Sequence, residues 1–375
     1  MDFDFSDDQL SLREAVGRWV EKGFTFERRH ALAKAGGKTR EVYTELADLG
    51  LAGLVVPEAH GGLGMGAVEA MVVSEELGRG LVNAPYTFAA LMSPRLLSVA
   101  PDALQATWLP GIASGAKLVV PALTEATSRY RLAHVETRAI RKGDGWTVDG
   151  TKCVVPAGDE ADAFIVPARI GGDAGDAAGI GLFVVEAGAA TVNGYATYDG
   201  GRAADVHFDS AAAACITEDG LAVLEDAVDA GIAAQCAEAV GAMDRLLAIT
   251  VEYMNMRKQF NTTIASFQAL RHRVADVKMQ LELARSMSYY ASLKLGEPTP
   301  QRRRAVAQAG VQLGHSMRFV GQQCVQLHGG IACTDEYVAS HYFKRLTMLE
   351  LSLGDTMHHL GEVSKRMQDT AGVFA

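Results

Sequence analysis

The residues best suited to chemistry fall in two short segments of the C-terminal half. Arg257-Lys258-Gln259-Phe260 is followed by Phe267-Gln268, and Val325-Gln326-Leu327-His328-Gly329-Gly330-Ile331 is followed by Thr334-Asp335-Glu336-Tyr337. A guanidinium closing a long helix can pair bidentately with a pyrophosphate. Adjacent glycines remove two Cβ atoms and let backbone N–H groups approach a phosphate. Gln259, Gln268 and Gln326 add amides for the edges of a ring or an adenosine, and Phe260 adds a flat apolar face. Singly, each has an ordinary structural reading: Arg257 as a helix C-terminal charge, Gly329-Gly330 as a turn, Phe260 as core. Only their joint occurrence points to a ligand.

Three textures along the chain must position these segments. Residues 1–117 read as a helical domain. Ser6-Asp7-Asp8-Gln9 forms a capping box, with Leu12, Val16 and Trp19 at helical spacing behind it. Thr39 is expected to cap a second helix carrying Val42, Leu46 and Leu49, and Pro57 to Gly66 breaks the pattern as a loop. Residues 118–220 change to short strand-like runs (Leu118–Leu123, Trp146–Val148, Phe164–Val166, Leu182–Val185) with turn signals such as Gly143-Asp144-Gly145. Gly171 to Gly181 is expected to be a surface loop of an antiparallel β domain. Residues 221–375 return to four long helices: one running towards Gln259, then about 267–295, about 301–327, and one after Tyr337. The expected class is α+β: an N-terminal helical domain, a central antiparallel β domain and a C-terminal four-helix bundle.

Composition removes several functions. The net charge of −10 argues against nucleic acid as the main partner. No apolar run reaches membrane-spanning length, and the start MDFDFSDDQL lacks the basic and apolar parts of a signal peptide, so a cytoplasmic location is expected. Five scattered cysteines with no C-x-x-C imply free thiols, and adjacent His358-His359 diverge on a helix, so no metal site is expected. No G-x-G-x-x-G or P-loop follows a strand. Arg302-Arg303-Arg304 reads as a solvated helix face or an anion contact.

The two segments of the opening resemble the R-x-Q-F-G…F-Q and Q-x-x-G-G-x-G signatures of flavin-dependent acyl-CoA dehydrogenases, and Gly50 to Gly64 resembles that family's N-terminal loop. All three regions are covered in order. The resemblance implies FAD held by Thr124, Arg257, Gln259, Phe260, Gln268, Gln326, Gly329 and Gly330. It further implies that Gln326, Gly329 and Gly330 serve the flavin of a neighbouring subunit. An acyl-CoA substrate and an electron-transfer flavoprotein as electron acceptor are implied as well. In the family a carboxylate removes the α-proton while the β-hydride passes to the flavin.

The pattern breaks where that carboxylate belongs. The family's Y-E-G-T appears as Ser352-Leu353-Gly354-Asp355, with leucine at the glutamate position, and the alternative base position falls near Gly231. Asp355 and Asp229 are the nearest carboxylates. A displacement of one or two residues turns each by about 100° per residue on a helix, and their structural reading is surface or cap aspartate. Glu238, two turns on, reads equally as a buried partner for an arginine or histidine. The T-E-P-x-x-G-S-D loop carries Tyr130 and Arg131 in place of its serine and aspartate, and the T-K-x-W-I-T strand has Val154 and Pro156 for its tryptophan and last threonine. Asn261 and Ala332 each replace a glycine. These changes, with His341 to Met348 and Gly354 to Leu360, are similar to the small subunit of pimeloyl-CoA dehydrogenase and related heteromeric bacterial enzymes. The resemblance thus implies one subunit type of an α2β2 assembly whose partner supplies the base, or else a homotetramer. Two other readings stay open: a non-catalytic structural subunit, and a flavoenzyme using an aspartate base on another substrate.

Overall fold

The computed structural model describes residues 5–143 and 145–367. Asp144, in one of the expected turns, lies outside them. The N-terminal stretch forms α1 (Asp7–Gly23), α2 (Phe26–Lys34), α3 (Arg40–Asp48), α4 (Ala67–Arg79), α5 (Ser93–Leu97) and α6 (Asp102–Ala113). Strands β1 (Val119–Pro121), β2 (Arg138–Lys142), β3 (Gly145–Pro156), β4 (Ala163–Arg169), β5 (Ile180–Glu186), β6 (Ala190–Ala196) and β7 (Arg202–Thr217) follow. The C-terminal part contains α7 (Leu221–Met256), the short strands β8 (Lys258–Gln259) and β9 (Thr262–Thr263), then α8 (Gln268–Leu293), α9 (Thr299–His328), α10 (Val338–Leu351) and α11 (Thr356–Met367). Among the described residues no helix is long and apolar enough to cross a membrane.

The chain divides into two compact units: Met1–Arg29 with Ala67–Val82 and Ile232–Ala375, and His30–Gly66 with Asn83–Gly231. In the first, α8, α10 and α11 pack on α9, and α1 packs on α4. The capping box at Ser6 is present in full: the Gln9 amide donates to the Ser6 side chain and the Ser6 amide to the Gln9 side chain. The last long helix is divided. It breaks into α10 and α11 at Ser352 to Asp355, where Leu353 (φ 52°) and Gly354 (φ 137°) both take left-handed backbone.

In the second unit β4, β2, β3, β7 and β5 close on themselves, because β5 pairs back on β4. Pairing is antiparallel except between β1 and β4 and at the single β2–β4 rung, Arg138 to Arg169. Phe164, Phe183 and Phe208 fill the interior and are fully buried. Buried Arg169 donates to the carbonyls of Ala174, Asp176 and Ala178, which pins the glycine-rich 171–181 loop to the barrel.

Thr39 stands at the α3 N-cap but its side chain makes no cap bond. The cap comes from across the fold, where the Glu160 carboxylate accepts the Thr39 amide (2.9 Å) and the Arg40 amide (2.8 Å). An anion serving two N-terminal amides also meets the positive end of the helix dipole. Val42 and Leu46 are buried as expected, whereas Leu49 is 44% exposed. Glu160→Ala is therefore expected to cost about 1–2 kcal/mol in denaturant unfolding, as loss of an N-cap does. Thr39→Val should cost far less, and equal losses would refute this assignment.

Candidate functional site

The end of α7 turns straight into a hairpin. Lys258 pairs with Thr263 and Gln259 with Thr262, leaving Phe260 (φ 53°) and Asn261 (φ 64°) at the corner. Two successive positive φ values are the signature of a type I′ turn, and asparagine tolerates the second position. Asn261 in place of glycine is thus compatible with the turn. Phe260 sits at the tip, 88% exposed, and meets Phe267 edge-on at 6.1 Å between ring centroids. The expectation that Phe260 could be core is excluded. Gln268, the first residue of α8, is exposed, as are Arg257 and Gln259.

The second segment ends α9. Gly329 (φ 68°, ψ −149°) closes the helix in a conformation that glycine alone adopts readily. At both Gly329 and Gly330 an added Cβ would meet no atom within 4 Å, so an open surface lies beside this backbone. Met254, Ile264 and Leu327 form one buried cluster with Phe267 and Leu270 against it. Tyr253 lies against His328 at 4.7 Å between ring centroids, tilted by 34°, and Tyr337 lies 5.2 Å from the same ring. The structure therefore brings Arg257, Gln259, Phe260 and Gln268 together with Gln326, Gly329 and Gly330 at one end of the helical unit.

His328 belongs to the same segment. It is 4% exposed, its Nδ1–H donates to the Cys324 carbonyl at 2.8 Å, and its Nε2 has no partner. Burial lowers its pKa and keeps it neutral.

Thr124 lies in the other unit, on the loop after β1, where its carbonyl accepts the Cys153 amide at 2.7 Å. Beside it is a pair whose importance sequence reasoning missed. Lys152 Nζ and Glu125 Oε1 are 2.6 Å apart, with both side chains buried. The Glu125 carboxylate also accepts the amides of Glu136 and Thr137. Burial alone would raise the Glu125 pKa, but Lys152 and these amides hold it below the usual carboxylate value. The pair fixes the 124–137 loop against β3. Arg131 donates to the Thr127 carbonyl within the same loop.

The two candidate bases sit in different units. Asp229 is on α7 and 2% exposed. Asp355 caps α11, its Oδ1 accepting the His358 amide at 2.7 Å. Glu238 is held by Arg345 at 2.6 Å from the guanidinium Nε, which fulfils its expected structural role. Around the α10–α11 turn, a cavity of about 20 Å³ is lined by Gln235, Glu350, Ser352, Thr356 and His359, room for roughly one water. Gln235 Nε2 donates to Ser352 Oγ at 2.9 Å, so a neutral amide–hydroxyl contact links α7 to the turn that replaces the base segment. Glu350 Oε1 accepts the Thr356 hydroxyl at 2.7 Å. His359 packs so tightly on α9 that a Cβ on Gly310 would lie 2.4 Å from its ring.

Three descriptions of one family match in order: the N-terminal domain of acyl-CoA dehydrogenase over residues 6–116, the middle domain over 121–211 and the C-terminal domain over 218–368. The chain belongs to the acyl-CoA dehydrogenase family. It is 25% identical to a (2S)-methylsuccinyl-CoA dehydrogenase from Cereibacter sphaeroides over 88% of this chain, spanning 64% of that protein. The structure of the ChsE4-ChsE5 complex from Mycobacterium tuberculosis contains a chain 27% identical, with TM-score 0.89, covering 99% of this chain and 100% of that one. A structure described as an FAD-dependent dehydrogenase is 26% identical at TM-score 0.87, covering 98% and 100%. FAD is thus the cofactor and acyl-CoA oxidation the chemistry of the family to which this fold belongs.

Two predictions follow from the buried charges. Glu125→Gln strands the Lys152 ammonium and should cost about 3–5 kcal/mol, and Glu125→Leu with Lys152→Met should recover most of it. Additive losses in that double variant would refute the coupling. His359 has its pKa lowered to about 4, chiefly by burial. Between the unfolded value of 6.5 and about 4 the unfolded chain binds the extra proton, so stability falls as pH drops through that window. Unfolding free energies of His359→Gln should show a shallower slope there.

Proposed function

We propose that this chain is one subunit type of a flavin-dependent acyl-CoA dehydrogenase whose partner subunit supplies the base. One contrast carries the reading. The exposed hairpin and the open glycine turn form a single patch suited to a dinucleotide, whereas Leu353 stands at one base position and no glutamate stands near Gly231 at the other. Asp355 is committed to a helix cap, and Asp229 is buried on α7.

The residues suit FAD at its phosphate end. Arg257 provides a guanidinium for the pyrophosphate, Gly329 and Gly330 leave space no Cβ would share, and Gln259, Gln268 and Gln326 present exposed amides. Thr124 would serve at the ring end of a different flavin, whose phosphate end a neighbouring subunit holds. FAD, when bound, takes up the β-hydride of the thioester. Phe260 projects from its hairpin with almost its whole side chain exposed, which suits a contact on a neighbouring subunit. An α2β2 assembly agrees with the relative solved as a complex, with a homotetramer as the alternative. Electron-transfer flavoprotein would receive the electrons. The neutral contact between Gln235 and Ser352 joins the hydrogen bonds to Glu350 and Asp355 in keeping the α10–α11 turn in place, with Leu353 at the glutamate position. These side chains bind and orient, and the proton leaves through the partner.

The test is the visible spectrum of the chain purified alone and co-expressed with the product of its neighbouring gene. Flavin and acyl-CoA oxidation should appear on co-expression, and colourless protein in both preparations would remove the flavoenzyme reading. In the active complex Asp229→Asn and Asp355→Asn should leave the turnover pH profile unchanged. Loss of turnover in either, with flavin retained, would move the base into this chain. Gly330→Ala should leave the melting temperature unchanged yet lower flavin content.

A further inference from the structure

Beside the Thr124 loop, three neighbouring strands present a small aromatic and apolar face. The pairing of β3 with β7 slips between Lys152 and Val155, and in this bulge Val154 takes φ 53° and is 52% exposed. Its amide, lifted out of the ladder, donates to Asp205 Oδ1 at 3.1 Å. On the far side of β7, edge strand β6 pairs Asn193 with Asp205 and Tyr195 with Ala203. The Tyr195 hydroxyl donates to the same Asp205 Oδ1, also at 3.1 Å. Burial first, and then Asp205, push the tyrosine pKa up to about 12, so the hydroxyl remains a donor.

A 37% exposed tyrosine on an edge strand would ordinarily rotate freely. Here one carboxylate oxygen anchors both the ring's hydroxyl and the bulge amide, while the ring itself stays open to solvent. Fixing a ring by its polar tip prepares it to stack, because the rotamer freedom is spent before the ligand arrives. Within the bulge, the Cys153 amide donates to the Thr124 carbonyl. The fixed ring therefore belongs to the same corner of the β unit as the residue assigned to the flavin ring.

We propose that Tyr195, held by Asp205, is a stacking and positioning residue for the flavin ring system in this chain. The inference rests on the cofactor reading above and adds a residue to it.

The experiment uses the full-length chain with its co-expressed partner, with FAD as the probe. FAD affinity is measured by titration of the deflavinated complex, and bound-flavin fluorescence is recorded. Tyr195→Ala should weaken FAD by about tenfold and make the bound flavin brighter. Tyr195→Phe keeps the ring and should retain most of the quenching while losing a small part of the affinity. Asp205→Asn should resemble Tyr195→Phe. If wild type binds FAD and Tyr195→Ala binds it equally, with unchanged fluorescence, the stacking assignment falls and the cofactor reading stands. The same follows if Tyr195→Ala alters only subunit assembly. If wild type takes up no FAD, both fall together.

Discussion

Met254 on α7, Ile264 after the hairpin and Leu327 at the end of α9 bury their side chains against one another, with Tyr253, Phe267 and Leu270 around them. Each such side chain contributes about 1.5–3 kcal/mol when fully buried. That is enough to outweigh the roughly 1–2 kcal/mol that each left-handed residue costs at the Phe260-Asn261 corner. Because this contact exists, two segments far apart in sequence share one surface. Without it Arg257 would be the end of one helix and Gly329 the end of another, with no shared surface between them.

Charge is treated differently in the two units. Glu125 and Lys152 are buried as a pair, with backbone amides taking the remaining carboxylate valence, so the loop bearing Thr124 is fixed at a cost already met by its own hydrogen bonds. At the α10–α11 turn the carboxylates have other work: Asp355 caps α11 and Glu350 holds Thr356. These two carboxylates and the Gln235–Ser352 contact hold the turn, so its shape needs no glutamate at the position of Leu353.

Local features were readable in advance where the interaction is itself local. The Ser6–Gln9 box lies within one helical turn, and the strands around Phe164 and Leu182 follow from short apolar runs between turn signals. The expectation at Thr39 failed because the cap comes from Glu160, which no pattern near α3 reveals. The expectation of one helix after Tyr337 failed because Gly354 and Asp355, the break signals between His341 and Leu360, are single residues that a helix also tolerates. Pinning of the 171–181 loop by Arg169 was likewise out of reach, since the acceptors are backbone carbonyls that any sequence supplies.

By itself, the sequence determined the family, the order of helices, strands and helices, the candidate phosphate-binding residues and the absence of glutamate at either base position. These rest on residue types at fixed spacing along one chain. The tertiary structure alone decided that the hairpin and the glycine turn form one patch, that Asp355 is a cap, that Glu125 and Lys152 pair in the interior, and that Asp205 fixes Tyr195 beside Val154. Each of these depends on contacts between segments remote in sequence. Burial and the closing of the β barrel choose such contacts, and composition and periodicity do not.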